Sequence, residues 1–466
     1  MINIPSFSGR LVGVFGLGRS GLSSALALKK SGAIVSVWDD SEIPRMRALK
    51  AGLKLVDLYK ADWSAINTLV LSPGVMLNYP EPHAIVCLAR KHGVEIIGDV
   101  ELLARSDLEA RIIGITGTNG KSTTTALIGH IFQNAGHHVQ VGGNLGVPVL
   151  DLEFMDKTGN FVLEMSSYQL DLTHSLVFDV ALLLNLSADH LDRHGGFDGY
   201  ISSKKRIFSK QSKSHTAIIG IDDVPSRVIY EELKNSSANN VIGISGEEPI
   251  EGGVYTQHNI LYDCTKGNSA IAVVDLAQIP SLPGVHNAQN IAAAYAVVQA
   301  CGLELSAITS GMLSFKGLAH RLELLAIIDG IHYVNDSKAT NAESAARAIS
   351  CYDNVYWIAG GRAKEGGIEA IFPFLDRVCH AYLIGETAND FAKNLKREIP
   401  VTVSGDLFSA VGEARAHALA KTGEGSVVLL SPACASFDQF ENFESRGNAF
   451  RDFVDALPGS RQEIRT

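Results

Sequence analysis

The chain has 466 residues, and its 50 Asp and Glu outnumber its 40 Lys and Arg to give a net charge of −10. That length exceeds what one hydrophobic core supports and predicts about three domains of roughly 150 residues each. The acidic balance argues against a nucleic-acid partner, while leaving room for local cationic pockets that hold small anions. No apolar run reaches the ~18 residues of a helical span, so no membrane association is expected. The six cysteines, at 87, 264, 301, 351, 379 and 434, show no C-x-x-C spacing, which predicts neither a disulfide framework nor a zinc site. Met1–Arg10 has no charged leader followed by an apolar block, and the cytoplasm is the expected location.

In chain order, Arg10-Leu11-Val12-Gly13-Val14-Phe15 predicts a buried strand. Gly16-Leu17-Gly18-Arg19-Ser20-Gly21 then turns into a helix reaching about Lys30, and a second strand over 33–38 ends at Asp39-Asp40. This is a βαβ unit with G-x-G-x-x-G and an acid about 20 residues on, the dinucleotide fingerprint. Alone it would predict NAD. The loop, however, requires only a phosphorylated or ribose-like group near a helix N-terminus, so the pattern fixes the fold rather than the ligand. A third strand enters a loop at Leu69-Val70-Leu71-Ser72-Pro73-Gly74, and Ile96-Ile97-Gly98 closes a Rossmann-like first domain at residue 98.

The second domain, 99–317, is organised by Ile112-Ile113-Gly114-Ile115-Thr116-Gly117-Thr118-Asn119-Gly120-Lys121-Ser122-Thr123. A strand over 110–115 feeds a glycine-rich turn, and a helix over 121–135 stops at Gly136. In a phosphate-binding loop, backbone N–H groups cradle phosphates, here around Thr118, Asn119 and Gly120. Lys121 adds a point charge, and the Ser122 hydroxyl suits Mg²⁺. The spacing departs from G-x-x-x-x-G-K-[ST], which would need glycine where Ile115 stands. Glu164, ending the strand over 161–164, and His190, following the strand over 180–186, occupy the same sheet edge. Ligands gather at the carboxyl ends of such strands, so both residues can converge with the loop on one Mg-phosphate centre. Tyr200 and Lys204 share one face of a basic helix. Residues 211–280 read as polar and irregular, with strands at 217–220 and 270–274. Asn287 and Asn290 open an alanine-rich helix, where they either meet a nucleotide or cap the helix.

A third domain starts around Gly317 and runs through 318–466. Strands are predicted at 333–335, 355–359, 381–384 and 427–430, each feeding a polar loop, which predicts a second Rossmann-like sheet. The fold class is therefore α/β, in three domains with a P-loop ATPase in the middle.

Several separated motifs in one order resemble the Mur ligases, which build the peptide of bacterial peptidoglycan. They are Gly117–Thr123, Leu163-Glu164-Met165-Ser166-Ser167-Tyr168-Gln169-Leu170, residues 336–341, Ser431-Pro432-Ala433-Cys434-Ala435-Ser436 and Asp438-Gln439-Phe440. The last continues through Asn442-Phe443 to Arg446-Gly447. The resemblance points to the branch that adds D-glutamate to UDP-N-acetylmuramoyl-L-alanine, using ATP and two Mg²⁺ ions through an acyl phosphate. It implies that Thr118, Asn119, Gly120, Lys121, Ser122 and Thr123 hold ATP phosphates. Asn287, Asn290, Arg321 and Asp336 would line the rest of the ATP site. Ser122 and Glu164 would hold one metal and His190 the second, with Lys204 as a carbamate that helps. Ser20, Asp39, Ser72, Asn144 and Ser166 would face the UDP-sugar. Thr340, Lys364, Ser436 and Phe443 would surround D-glutamate. Domain closure would bring Arg321, Lys338 and Lys364 onto the reaction centre, and the enzyme would act as a monomer. Asp40-Ser41 stands where the best-known members place a threonine and an arginine for uracil, and Arg19 replaces a smaller apolar residue. Two other readings stay open: a Mur-type or folylpolyglutamate-synthase-like ligase for a different acceptor, and a nucleotide-binding regulatory protein without ligase activity.

Overall fold

The computed structural model describes residues 1–462 apart from 145, 237, 268, 364–366 and 422–424. Its strands form three sheets. The first is parallel, with β1 (Leu11–Phe15), β2 (Ile34–Trp38), β3 (Lys54–Leu55), β4 (Thr68–Leu71) and β5 (Glu95–Ile97) in the order β3-β2-β1-β4-β5. The strand order reverses between β1 and β4, which opens a crevice beyond their carboxyl ends. Sterics dictate the glycines there. A Cβ on Gly16 (φ +85°) would meet the Cβ of Ser72 at 2.6 Å, and one on Gly21 would lie 1.8 Å from the Gly16 carbonyl oxygen.

The second sheet has nine strands: β6 (Arg111–Thr116), β7 (Val139–Gly143), β8 (Asn160–Glu164), β9 (Val180–Leu183), β10 (Thr216–Gly220), β11 (Asn240–Ser245), β12 (Val254–Gln257), β13 (Ile260–Asp263) and β14 (Ile271–Asp275). Their order is β14-β13-β12-β11-β10-β9-β6-β8-β7. β6 and β8–β11 are rich in Ile, Val and Leu because helices cover both faces of a parallel sheet. The stretch 211–280 is more regular than its composition predicts: it holds five strands and the helix Val224–Ser236. β12, β13 and β14 pair antiparallel, and β12 turns into β13 through His258 and Asn259, both with positive φ. That is a two-residue hairpin without the glycine that usually marks one. One side of β14 is open to solvent, so its apolar pattern is weak.

The third sheet comprises β15 (Glu323–Ile328), β16 (Ile331–Asn335), β17 (Val355–Gly360), β18 (Val378–Ile384), β19 (Val401–Gly405), β20 (Val427–Leu430) and β21 (Arg461–Gln462), in the order β19-β18-β17-β20-β16-β15-β21. β15 runs antiparallel to both neighbours, and the other pairs are parallel. Trp357 is fully buried at its centre, and the indole N–H donates to the Ser431 carbonyl at 2.7 Å.

The chain forms two compact units, residues 1–276 with 288–312, and residues 277–287 with 313–466. The first two sheets share the first unit because their cores merge. Ile2 N–H donates to the Leu150 carbonyl at 2.9 Å, and Ser23 Oγ donates to Asp151 at 2.8 Å. Among the described residues, no helix is long and apolar enough to cross a membrane.

Candidate functional site

The loop between β6 and the helix Lys121–Asn134 is held by tight backbone packing. Gly120, the residue before the helix, adopts φ +84°, and a Cβ there would sit 2.1 Å from Asn290 Oδ1. Gly120→Ala therefore combines left-handed backbone strain with a steric conflict, and a loss of about 1–3 kcal/mol of stability is expected. Thermal unfolding reads this directly, and an unaltered transition would show that Asn290 yields freely. Asn290 also accepts from Thr124 Oγ1 at 3.2 Å. The N–H of Thr118 donates to the Asn185 carbonyl at 2.9 Å, and that of Asn119 to Asn185 Oδ1 at 2.9 Å. Lys121 Nζ donates to the carbonyls of Gly117 and Thr118 at 2.7 and 2.8 Å, which keeps its charge over the loop. Ser122 and Thr123 continue the first helical turn.

Strand register brings the next groups alongside. Glu164 pairs with Ile115 across β8 and β6, so its carboxylate emerges beside the loop. Oε1 accepts from Asn144 Nδ2 at 2.8 Å, whereas Oε2 is buried with no hydrogen-bond partner among the described residues. A buried carboxylate oxygen in that state is costly. A hard divalent cation would satisfy it, so Glu164 fits the role of a Mg²⁺ ligand. Lys204, 2% exposed, donates from Nζ to the Gly117 carbonyl at 2.8 Å and to Thr116 Oγ1 at 3.3 Å. Burial, and then the charge of Lys121, push its ammonium well below the usual lysine range. Tyr200 lies 4.8 Å from that amine, and its hydroxyl is 3.1 Å from Thr118 Oγ1.

His190 is half-exposed and sits at φ +50°, an uncommon conformation for a residue with a side chain. Its ring lies 5.4 Å from Tyr168 and 3.6 Å from the Asp189 carboxylate. The structure thus groups Lys204 with the loop and places His190 at the rim, against Tyr168 and Asp189. Tyr168 also stacks on the buried His194, whose imidazole is pushed down to about 4 by burial and by Lys204.

At the crevice of the first sheet, Asp39 accepts from the N–H of Leu17 at 2.6 Å and fixes the glycine-rich loop. Ser72 follows β4 and lies beneath Gly16, and Ser20 in the first turn of the next helix accepts from Ser24 Oγ through its carbonyl at 2.8 Å. Ser166 caps the helix Ser167–Asp171 in a reciprocal arrangement with Gln169. Asp40 does not stand alone: it accepts from Tyr59 at 2.9 Å and lies 3.1 Å from His83 Nε2. Arg45 crosses Trp38 at 4.8 Å and donates to the carbonyls of Asp39 and Asp40 at 2.7 and 2.9 Å. Arg19 donates to the Gly146 carbonyl, in the loop that carries Asn144.

The second unit gathers the remaining predicted residues. Asp336 accepts from the N–H of Leu322 at 3.2 Å and from Ser431 Oγ at 2.8 Å. Burial pushes its carboxyl up to about 7, against the pull of Ser431 and Arg321. Lys338 Nζ lies 3.8 Å over the Phe443 ring. Thr340 is half-buried, Ser436 is buried, and Asn287 donates to the Pro283 carbonyl at 2.6 Å. Lys364 lies outside the described residues.

Reasoning from the sequence missed Asn185. Its amide donates to Gln289 Oε1 at 2.9 Å, and Gln289 donates in turn to Asp222 at 2.7 Å, so this chain anchors the phosphate loop from behind. Asn185 follows the apolar run of β9 at the sheet edge that carries Glu164, but its role depends on Gln289 and Asp222, which lie far along the chain.

The chain matches the Mur ligase MurD-like N-terminal domain over residues 10–98, the Mur ligase middle domain over 115–298, and the Mur ligase glutamate ligase domain over 320–434. It is 50% identical over 463 residues to UDP-N-acetylmuramoylalanine--D-glutamate ligase of Caulobacter sp. strain K31, covering 98% of each chain. The proteins of the same name from Phenylobacterium zucineum and Rhodospirillum rubrum are 48% and 47% identical, over 98% and 99% of this chain and 98% of each relative. Among solved structures, UDP-N-acetylmuramate-alanine ligase MurC from Thermotoga maritima superposes with a TM-score of 0.57 at 16% identity, covering 96% of this chain and 99% of that one. A UDP-N-acetylmuramoyl-L-alanyl-D-glutamate--2,6-diaminopimelate ligase gives 0.55 at 18%, covering 91% and 92%. Those two likenesses establish the three-domain fold. With full-length relatives at about half identity and three domain matches in order, the chain belongs to the Mur ligase family.

Proposed function

We propose that this chain is an ATP-dependent ligase that joins the amine of D-glutamate to the alanyl carboxylate of UDP-N-acetylmuramoyl-L-alanine, in peptidoglycan precursor synthesis. The observation that carries the reading is identity of 47–50% over the whole length to relatives bearing that name. The boundaries 1–98, 99–317 and 318–466 assign the UDP-sugar, ATP and amino acid to successive domains. We read the chain as a monomer acting in the cytoplasm.

The chemistry follows from the residues. A carboxylate is a poor electrophile. Its oxygen attacks the γ-phosphorus of ATP, the bond from that phosphorus to the β–γ bridging oxygen breaks, and ADP leaves. The amine nitrogen then attacks the acyl carbon and loses its proton, and phosphate departs. Lys121 and the loop N–H groups hold the phosphates where negative charge is greatest. Ser122 and Glu164 would hold Mg²⁺, which when bound offsets phosphate charge, and His190 is the candidate for a second ion. Lys204, as a carbamate, would add an oxygen ligand. Thr118, Asn119, Gly120 and Thr123 shape the cradle, with Asn287, Asn290, Arg321 and Asp336 around the rest of the nucleotide. Ser20, Asp39, Ser72, Asn144 and Ser166 face the UDP-sugar. Arg321 and Lys338 meet the transferring group, and Thr340, Lys364, Ser436 and Phe443 hold D-glutamate.

The test varies only the amino acid in a phosphate-release assay with UDP-N-acetylmuramoyl-L-alanine and ATP fixed. D-Glutamate should support turnover. D-Aspartate, one methylene short, should be about tenfold poorer or worse, because donors in a polar pocket are left unpaired. L-Glutamate should stay near background, since inversion at Cα separates the amine from the acyl carbon or the carboxylates from their donors. Equal turnover with L-glutamate, L-lysine or meso-diaminopimelate would overturn the assignment.

A further inference from the structure

One buried charge in the second unit takes no part in that chemistry. Arg446, in the helix Phe443–Asp455, is 1% exposed. Its Nε donates to Ser337 Oγ at 3.0 Å, and Nη2 donates to the carbonyls of Ser337 and Cys434 at 2.8 and 3.1 Å. All three acceptors are neutral. Keeping a guanidinium in such a place is costly, and burial pushes it down to about 10. A hydrophobic side chain would fill the space at lower cost, so packing alone does not account for the three directed bonds.

Those bonds lock together loops that strand order sets side by side but does not itself join. Ser337 follows β16, and Cys434 follows the neighbouring β20. The loop after β17 closes against the same point: a Cβ on Gly361 would lie 3.3 Å from Nη1 and 2.3 Å from the Ala435 carbonyl. Arg362 and Ala435 exchange backbone hydrogen bonds at 2.9 and 3.0 Å. Ser337 Oγ, besides accepting from Arg446, donates to the Phe443 carbonyl at 2.8 Å. One guanidinium thus ties together the segments that carry Lys338, Thr340, Ser436 and Phe443.

We propose that Arg446 is a positioning residue for the acceptor amino acid, holding the loops after β16 and β20 at the spacing that a dicarboxylic ligand requires. The inference rests on the assignment of Thr340 and Ser436 to the D-glutamate pocket. Arg446 touches no substrate itself. Small displacements of aligned groups are expensive in rate, on the order of 100-fold for 1 Å.

The experiment compares the full-length enzyme with Arg446→Met and Arg446→Lys, measuring KM for D-glutamate, KM for UDP-N-acetylmuramoyl-L-alanine and thermal unfolding. Arg446→Met is expected to raise KM for D-glutamate by roughly 10- to 100-fold while leaving that for the UDP-substrate within about twofold. Arg446→Lys, which keeps the charge and part of the bonding, should fall between. Ser337→Ala should raise the same KM and be non-additive with Arg446→Lys, as residues sharing one network are. If the wild type does not turn over D-glutamate, the functional reading itself fails. If the wild type does so and the variants only unfold at lower temperature with KM unchanged, Arg446 is structural and the inference is overturned. Should Arg446→Met not fold, Arg446→Lys and Ser337→Ala decide it by the same split.

Discussion

Lys121→Ala should fold normally and lose phosphoryl transfer by at least ~100-fold, the scale of one missing contact to charge in the transition state. Lys121 begins its helix at a site fixed by Gly120, and its Nζ bonds two carbonyls of its own loop. Those bonds aim the ammonium over the cradle. They are local, so the sheet should survive their loss. Lys121→Arg should not restore the rate, because a planar fork cannot replace a compact charge pointed by short bonds. Phosphate release under saturating substrates, together with a melting curve, separates the cases. A folded Lys121→Ala protein with normal phosphate release would remove the phosphate-loop assignment.

Lys204→Ala is expected to cost up to ~100-fold, comparable to losing a group that supports a metal site. The argument concerns charge. An ammonium at this position is disfavoured by burial and by Lys121. The same surroundings favour a neutral amine, whose lone pair can attack CO₂ with release of one proton. The product is an anion beside Lys121, which stabilises it. A carbamate oxygen would be a hard ligand in a place where a cation could not bind metal. Active enzyme equilibrated with ¹³C-bicarbonate should show a carbamate resonance that Lys204→Ala lacks, and activity should fall when CO₂ is stripped. Full activity of Lys204→Ala in bicarbonate-free buffer would exclude the modification from the mechanism.

Local features were legible in the sequence because they are contiguous. Residues 117–122 announce a loop whose geometry depends on Gly120, and Gly16 and Gly21 mark the first crevice for steric reasons visible in their spacing. Glu164 was readable because a carboxylate that ends an apolar strand of a parallel sheet is costly to bury without a cationic or hydrogen-bonding ligand. Asn185 was not, because an amide in that position resembles an ordinary cap until Gln289 and Asp222 are seen behind it. Of the antiparallel end of the second sheet, β14 was legible to within a residue at 270–274, whereas β12 and β13 were missed because each is four residues long, mixes polar with apolar side chains, and joins the other through a turn without glycine. Arg446 stood inside a quoted motif without a role, as its meaning lies in acceptors more than a hundred residues away in one case: Ser337 is 109 positions from it.

The phosphate loop and its partners are far apart along the chain, and this bears on how the enzyme comes into being. Lys204 meets Gly117 across 87 residues, and Thr124 meets Asn290 across 166. Non-local parallel pairing is slow to form, since chain closure must precede the contacts that reward it. During synthesis at about 5–20 residues per second, a nascent chain displays the glycine-rich loop well before the helix bearing Asn290 exists. Until then the loop lacks the neighbour that fills the space above Gly120. A nascent chain that ends before the alanine-rich helix is therefore expected to lack the Asn290 contacts that close the loop around Gly120, and to complete that loop only once the helix has docked.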